Sequence, residues 1–235
     1  MEVCGEYAFI TGYNLGVKII DIEDPTDMYE TGSYYKAGTT NVSVFGDYAY
    51  VTFWTSGDES GMEIISIADP ANPVLAGTLN PTAIGGLARH VFITGDKAYI
   101  ADGEAGLTKA DISDVEDITI TGTCSTGDEA VKITSDGTYI YVADGSDGLQ
   151  IVDPDDLQII GSYDTVSAND VALQGDYAYI ADGYGGMTVI DVAAPVHPLA
   201  AGLFNPGSSI KRINVTGGYA YLTASSVEDL SLIHI

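Results

Sequence analysis

Short apolar runs alternate with turns rich in Gly, Asp and Pro along almost the whole chain, and no apolar stretch keeps a helical period over three turns. The most regular run is a Gly-Asp-Tyr-Ala-Tyr-Ile cluster. It appears as Gly5-Glu6-Tyr7-Ala8-Phe9-Ile10 and returns from Gly46, Gly95, Gly137, Gly175 and Gly217. Its shared aromatic falls at Phe9, Tyr50, Tyr99, Tyr141, Tyr179 and Tyr221, with spacings of 41, 49, 42, 38 and 42. A period near 42 held over six copies marks a repeat architecture.

Each copy parses into four short strands, A to D. Strand A is an apolar run such as Val42–Phe45, Val91–Thr94 or Val171–Gln174. A Gly-Asp or Asp-Gly turn follows, which is a strong hairpin signal. Strand B is the Tyr-Ala-Tyr-Ile run. A Gly-rich loop such as Ala101–Gly106, Ala143–Gly148 or Ala181–Gly186 leads into strand C, seen as Val17–Ile22, Met62–Ile67, Leu149–Asp153 and Met187–Val192. Asp24-Pro25, Asp69-Pro70 and Asp153-Pro154 then break the ladder, because proline fixes φ and has no N–H to donate. Strand D completes the unit, as in Pro73–Leu79, Leu157–Tyr163 and Pro198–Phe204.

Four antiparallel strands per repeat is one blade of a β-propeller, so the expected fold is all-β, with four-stranded antiparallel blades. Blades packed face to face bury both sides of strands B and C, and these strands accordingly read as nearly continuous apolar runs. The copies fall near 5–41, 42–90, 91–130, 131–170, 171–212 and 213–224. The first is expected to hold strands B, C and D only, and the sixth strands A and B. That predicts about five blades plus a hairpin. The ring is either closed by complementing first and last strands or left incomplete, and the chain reads as a fragment. Residues 225–235 leave the pattern. Leu230–Ile235 match what a common sequencing-library transposon end would encode, and they are set aside as an artefact.

At these residues the chain resembles the LVIVD-repeat family. The resemblance rests on Val17-Lys-Ile-Ile-Asp-Ile22 with Asp24-Pro25, on Leu149-Gln-Ile-Val-Asp-Pro154 and on Gly175-Asp-Tyr-Ala-Tyr-Ile-Ala-Asp-Gly183, and it covers the chain to about Ala224. It implies cell-surface β-propellers of bacteria and archaea, and hence a secreted or surface location. It carries no activity. The third copy departs from it, with Leu107-Thr-Lys-Ala-Asp111 as strand C and no proline after Asp114.

Charge narrows the function. The chain has 8 Lys and Arg against 34 Asp and Glu, for a net charge of −26. Such a surface repels phosphate backbones and anionic lipid, so nucleic acid is not an expected partner. No apolar stretch reaches the length of a membrane-spanning helix, and no signal peptide is visible. Cys4 and Cys124 occupy different places in their repeats, which predicts two small buried residues rather than a disulfide.

The polar pair before each strand A is expected to ring the mouth of a central channel. These pairs are Thr40-Asn41, Arg89-His90, Glu129-Ala130, Asn169-Asp170 and Lys211-Arg212, and they hold both arginines of the chain. The functional reading is a mixed-charge site for an anionic or carbohydrate-like group; the structural one is strand-end caps and ion pairs, which come first. Trp54, in the longest B-to-C loop, is suited either to stack on a sugar or to pack between blades. Asp102, Asp144, Asp147 and Asp182 are weak calcium candidates, since calcium takes six to eight oxygens and the full spacing of a calcium loop is absent. Their structural reading is an Asx turn. No cofactor is expected, and no catalytic motif is found. The expected function is an extracellular or cell-surface binding or scaffold module for a protein or carbohydrate. The alternative is a propeller hydrolase or lyase acting at the channel mouth.

Overall fold

The computed structural model describes residues 1–56, 59–79 and 85–224, and the backbone of 230–234. Among these residues there is no helix, and 23 strands form six antiparallel sheets. The first sheet is β1 (Glu2–Cys4), β2 (Tyr7–Gly12), β3 (Gly16–Asp21) and β4 (Tyr29–Tyr34). The second is β5 (Thr39–Phe45), β6 (Tyr48–Trp54), β7 (Ser60–Ser66) and β8 (Val74–Leu79). The third is β9 (His90–Thr94), β10 (Lys97–Ala101), β11 (Leu107–Asp111) and β12 (Thr119–Cys124). The fourth is β13 (Ala130–Ser135), β14 (Ile140–Asp144), β15 (Leu149–Val152) and β16 (Ile159–Tyr163). The fifth is β17 (Asp170–Gln174), β18 (Tyr177–Ala181), β19 (Met187–Asp191) and β20 (Leu199–Phe204). The last has three strands, β21 (Ile210–Thr216), β22 (Tyr219–Ala224) and β23 (Leu230–His234). In every sheet the spatial order follows the chain, so each is a meander of the kind expected for a blade.

Two compact units result. One comprises Met1–Asp102 and Thr108–Thr123, the other Gly103–Leu107 and Cys124–Ile235. Within each, neighbouring blades share one apolar layer, and alternation along strand B decides which layer each side chain joins. In the first unit, Phe9, Val17 and Ile19 meet Ala49, Val51 and Ile65. The opposite face of the second blade sends Tyr50, Met62 and Ile64 against Val91, Ala98 and Ile100 of the third. In the second unit, Tyr141, Leu149 and Ile151 meet Val171, Ala178 and Ile180, while Tyr179, Ala181 and Met187 meet Ile213, Ala220 and Leu222. A strand such as β6 therefore contributes to two cores at once. Burial of each large side chain stabilises the fold by about 1.5–3 kcal/mol.

The repeated aromatics Phe9, Tyr50, Tyr99, Tyr141 and Tyr179 are all buried, while Tyr221 in the last blade is exposed. The Tyr141 hydroxyl donates to Asp136 Oδ2 at 2.9 Å. The strand-C aspartates are architectural: Asp21, Asp111, Asp153 and Asp191 each accept the N–H two residues on, at 2.8–3.0 Å, and so shape the turn toward strand D. The third copy keeps this turn without proline.

Strand D locks the blades together through a glycine. A Cβ on Gly32 would lie 2.1 Å from the carbonyl oxygen of Pro70, in the next blade's C-to-D turn. Gly77 stands in the same relation to Val115 at 1.7 Å, and Gly161 to Pro195 at 1.9 Å. Only a hydrogen fits between the strand and the incoming turn.

Two expectations are corrected. The first copy does have a strand A: β1 pairs Glu2 with Phe9, Val3 with Ala8 and Cys4 with Tyr7, and its three residues are too short to show a pattern in sequence. Cys124 is buried as expected, but Cys4 is exposed because it lies on that short edge strand, which is largely open to solvent; both are free thiols. The off-pattern segment 230–234 supplies the third strand of the last sheet, pairing Thr223 with Leu230 through Tyr219 with His234. Backbone pairing of this kind makes few demands on side-chain identity, so it does not bear on the segment's origin.

The glycine contact predicts an overpacking effect. Gly161→Ala must push the turn of the fifth blade outward, at a cost of about 1–3 kcal/mol. Thermal denaturation of the variant should show a midpoint roughly 2–10 °C below that of the parent. An unchanged midpoint would mean that the turn yields freely.

Candidate functional site

The B-to-C loops hold the most deeply buried charges. Asp102, Asp144 and Asp182 end or follow strand B, and the glycine after each has φ between 53° and 57°, the left-handed turn that lets the chain reverse toward strand C. Each carboxylate points back to the loop that precedes strand A of its own blade. Asp102 accepts from the amides of Gly85 and Gly86, both at 3.2 Å, and from the Thr108 hydroxyl at 3.1 Å. Asp144 accepts from Thr126 Oγ1 at 2.6 Å and the Asp128 amide at 3.2 Å. Asp182 accepts from the Ser167 amide at 2.6 Å and Thr188 Oγ1 at 3.1 Å. The expected Asx turn is thus replaced by a latch between two loops. Burial pushes the Asp102 carboxyl up to about 6, against the pull of its three donors, and raises Asp144 as well. Asp147 lies near Asp144 and pushes it further upward, while Asp128 is held low by accepting from the amide and hydroxyl of Ser146. Among the described residues no group of three or more His, Cys, Asp or Glu is arranged to hold a metal ion.

Of the polar pairs before strand A, Thr40-Asn41 and Asn169-Asp170 bond across to the next blade. Register shifts at Thr39/Asn41, Ala130/Lys132 and Ile210/Arg212 place a bulge there, which re-aims the side chains. Thr40 Oγ1 donates to the Ala88 carbonyl at 2.8 Å, and Asn41 Oδ1 accepts from Val91 at 3.4 Å. Asn169 Nδ2 donates to the carbonyls of Ser167 at 2.8 Å and Ile210 at 3.4 Å. Asp170 Oδ2 accepts from Ile213 at 3.1 Å and Oδ1 from Val171 at 2.9 Å. Burial raises the Asp170 carboxyl, and the charges of Lys132 and Arg212 oppose that rise. In the second unit the structure therefore brings Asn169, Asp170 and Arg212 together as a strand-end cluster, with Lys211 exposed beside it. In the first unit Arg89 and His90 begin the strand that Thr40 and Asn41 reach, with the Arg89 amide donating to Ala101 at 2.8 Å. Arg89, His90 and Glu129 are each engaged in polar or electrostatic contacts.

Trp54 is half-buried and meets Tyr13 edge to face, with ring centroids 5.7 Å apart. It links the first two blades at their loops, close to the packing reading. Beside it lies a charge that the sequence reading passed over. Glu63 on β7 is buried, accepting from the Tyr34 hydroxyl at 2.9 Å and from Lys36 Nζ at 2.5 Å. Lys36 also sits 3.8 Å over the Phe53 ring. The available signal was a carboxylate inside the apolar run of strand C, where the other repeats place Lys18, Thr108, Gln150 and Thr188.

An open groove of about 580 Å³ lies in the second unit, between the fourth and fifth blades. Tyr163, Val166, Tyr184, Leu203 and Asn205 line it, over the Asp182–Thr188 latch. Tyr184 is 78% exposed and Val166 62%. Asn205 Nδ2 donates to the Tyr184 carbonyl at 3.0 Å and holds the loop that presents the ring.

A model of the LVIVD repeat matches residues 1–36, 37–80, 85–126, 128–165 and 167–205. The chain belongs to the LVIVD-repeat family. Each of the five LVIVD matches spans one four-stranded sheet, so the repeat and the blade coincide. In structure, the LVIVD chain is similar to the β-propeller domain of Myceliophteria thermophila Cps50 (Swd1), with TM-score 0.75, 14% identity, and coverage of 97% of this chain and 80% of that one. It is similar to a chain of the Mitotic Checkpoint Complex (TM-score 0.71, 12% identity, 95% and 77% covered) and to the computationally designed Ika8 protein (0.69, 6%, 99% and 69%). At these identities the likeness shows a β-propeller fold. No curated protein matches the LVIVD chain. Among the described residues no helix is long and apolar enough to cross a membrane.

Two predictions follow from the latches. For Asp102 the folded pKa is raised, so its contribution to stability is greatest below the unfolded value. It falls as pH rises toward about 6 and is constant above. The stability of the parent relative to Asp102→Asn should fall between pH 3.5 and 7 by on the order of 3 kcal/mol, measured by urea titration at each pH. A difference that does not change with pH overturns this. The second concerns calcium. Because these carboxylates already accept amide and hydroxyl donors, calcium or chelator at matched ionic strength should leave the melting temperature unchanged.

Proposed function

We propose that the chain is an extracellular or cell-surface binding module, and that the groove between its fourth and fifth blades seats a protein or carbohydrate ligand. The observation that carries this reading is Tyr184. It occupies the loop position where the third and fourth blades have Glu104 and Ser146, so the scaffold does not require it, yet it is held 78% exposed at the rim of the groove. A large aromatic ring left in water beside Val166 and Leu203 is suited to stack on a sugar face or to anchor an apolar side chain. The polar residues that recur from blade to blade are engaged in latches and strand-end bonds, which leaves the non-repeated loop residues to meet a ligand. The net charge of −26 favours a neutral or cationic ligand over a polyanion. The surface location rests on the family resemblance and accords with this acidity.

A glycan and peptide array probed with the parent and with Tyr184→Ala tests the reading. The ring is exposed, so the variant should keep its melting temperature while losing about tenfold or more in affinity for whatever the parent retains, a change of roughly 1.4 kcal/mol. Equal retention by both proteins would show that the groove is not the site.

A further inference from the structure

A second groove, of about 480 Å³, lies in the first unit between the second and third blades, both of them complete four-stranded sheets. The turns between strands A and B line it, with Phe45, Asp47 and Tyr48 from one blade and Asp96 from the other, together with Asp114 of the third blade's C-to-D turn. Tyr50 is its floor: the residue is 3% exposed, and its ring belongs to the apolar layer that holds Ile93 and Ile112. Among the described residues nothing hydrogen-bonds to the Tyr50 hydroxyl, and the Asp47 and Asp96 carboxylates have neither a hydrogen bond nor an ion pair. Asp114 accepts only from the Glu116 amide, at 2.9 Å, and Lys97, next to Asp96 in the chain, is taken up by Asp111. Burial raises the pKa of Tyr50, with further pushes from Tyr48 and Asp96, so its hydroxyl stays neutral within reach of the Asp96 charge. The other junctions lack this combination. Phe9 has no hydroxyl, Tyr99 is engaged in further contacts, Tyr141 donates to Asp136, and the sheet beside Tyr179 has Gly218 in place of the aspartate.

We propose that this groove binds an arginine side chain of a partner polypeptide, with Asp47 and Asp96 sharing the guanidinium charge and the Tyr50 hydroxyl accepting one of its N–H groups. A buried hydroxyl without a partner is rare in a folded protein, and here it sits between two unpaired carboxylates, which together call for a ligand that brings both positive charge and N–H donors. A metal ion does not meet the requirement, since among the described residues no three carboxylates converge on one point. A guanidinium does: its planar fork reaches two carboxylates at once, and its face stacks on the Phe45 and Tyr48 rings beside them. The net charge of −26 draws a basic segment toward the protein, and the groove then selects where its side chain docks. This site shares no residue with the groove that holds Tyr184.

The test uses the whole chain and a fluorescein-labelled peptide of arginines spaced by Gly-Ser pairs, read by anisotropy at physiological ionic strength so that diffuse attraction is screened. The parent should bind this peptide more tightly than its lysine counterpart. Tyr50→Phe removes the hydroxyl alone and breaks no internal bond, so it should keep the parent's melting temperature while weakening binding about tenfold, the magnitude of one hydrogen bond to a charged group. The double variant Asp47→Asn with Asp96→Asn should weaken it about tenfold or more. Asp155→Asn with Asp176→Asn removes the same charge from exposed turns of the fourth and fifth blades and should bind as the parent does. Tyr184→Ala should also bind as the parent does, which separates this site from the other groove. No binding by the parent, equal binding of the lysine peptide, equal binding by Tyr50→Phe, or an equal loss in the two charge-matched double variants would each overturn the proposal.

Discussion

Everything in this molecule depends on sheets that are apolar on both faces. A single four-stranded meander of this composition has no stable existence in water, because strands B and C leave two hydrophobic surfaces exposed. Stacking solves this one face at a time: Tyr50 and Met62 serve one neighbour, and Val51 and Ile65 serve the other. Stability is then shared between adjoining blades rather than lodged in one centre, as in other repeat proteins. The same constraint explains why the alternation usual in half-buried strands is missing from strands B and C.

Close approach makes each interface selective. The apolar layers would tolerate sliding, but strand D meets the next blade's turn through a glycine that leaves room for nothing larger than a hydrogen. The B-to-C loop adds a second fixed point. Gly103, Gly145 and Gly183 exchange or accept backbone hydrogen bonds with Ala130, Ala168 and Ile210 at the start of the following strand A. Packing supplies the free energy, and these backbone contacts set the register.

The sequence made the blades legible because the signals were local. Turn dipeptides, a recurring aromatic and apolar runs are all read within a few residues, and the second to fifth sheets follow from them in full, with three strands of the first and two of the last. β1 escaped because three residues carry no pattern. The site was less legible for a physical reason. Asp102, Asp144 and Asp182 look like ligand-binding carboxylates in sequence, and only the fold shows that amides 15 to 17 residues upstream reach them. Of the polar pairs before strand A, Asn41, Asn169 and Asp170 reach the next blade, a contact no local pattern encodes. Tyr184 was visible as a residue and invisible as a feature, because exposure at a loop tip depends on the loop that holds it.

Repetition therefore works against reading function from composition. A residue that recurs in every blade is kept by the interface that recurs with it, and the buried aspartates show how a chemically capable group can be wholly occupied by that duty. Binding chemistry must come from where the repeats differ, as at Tyr184, which stands in place of Glu104 or Ser146. That departure sits on the fifth blade, whose strands B and C pack against the fourth and sixth sheets, and this packing holds in place the loop that presents the ring.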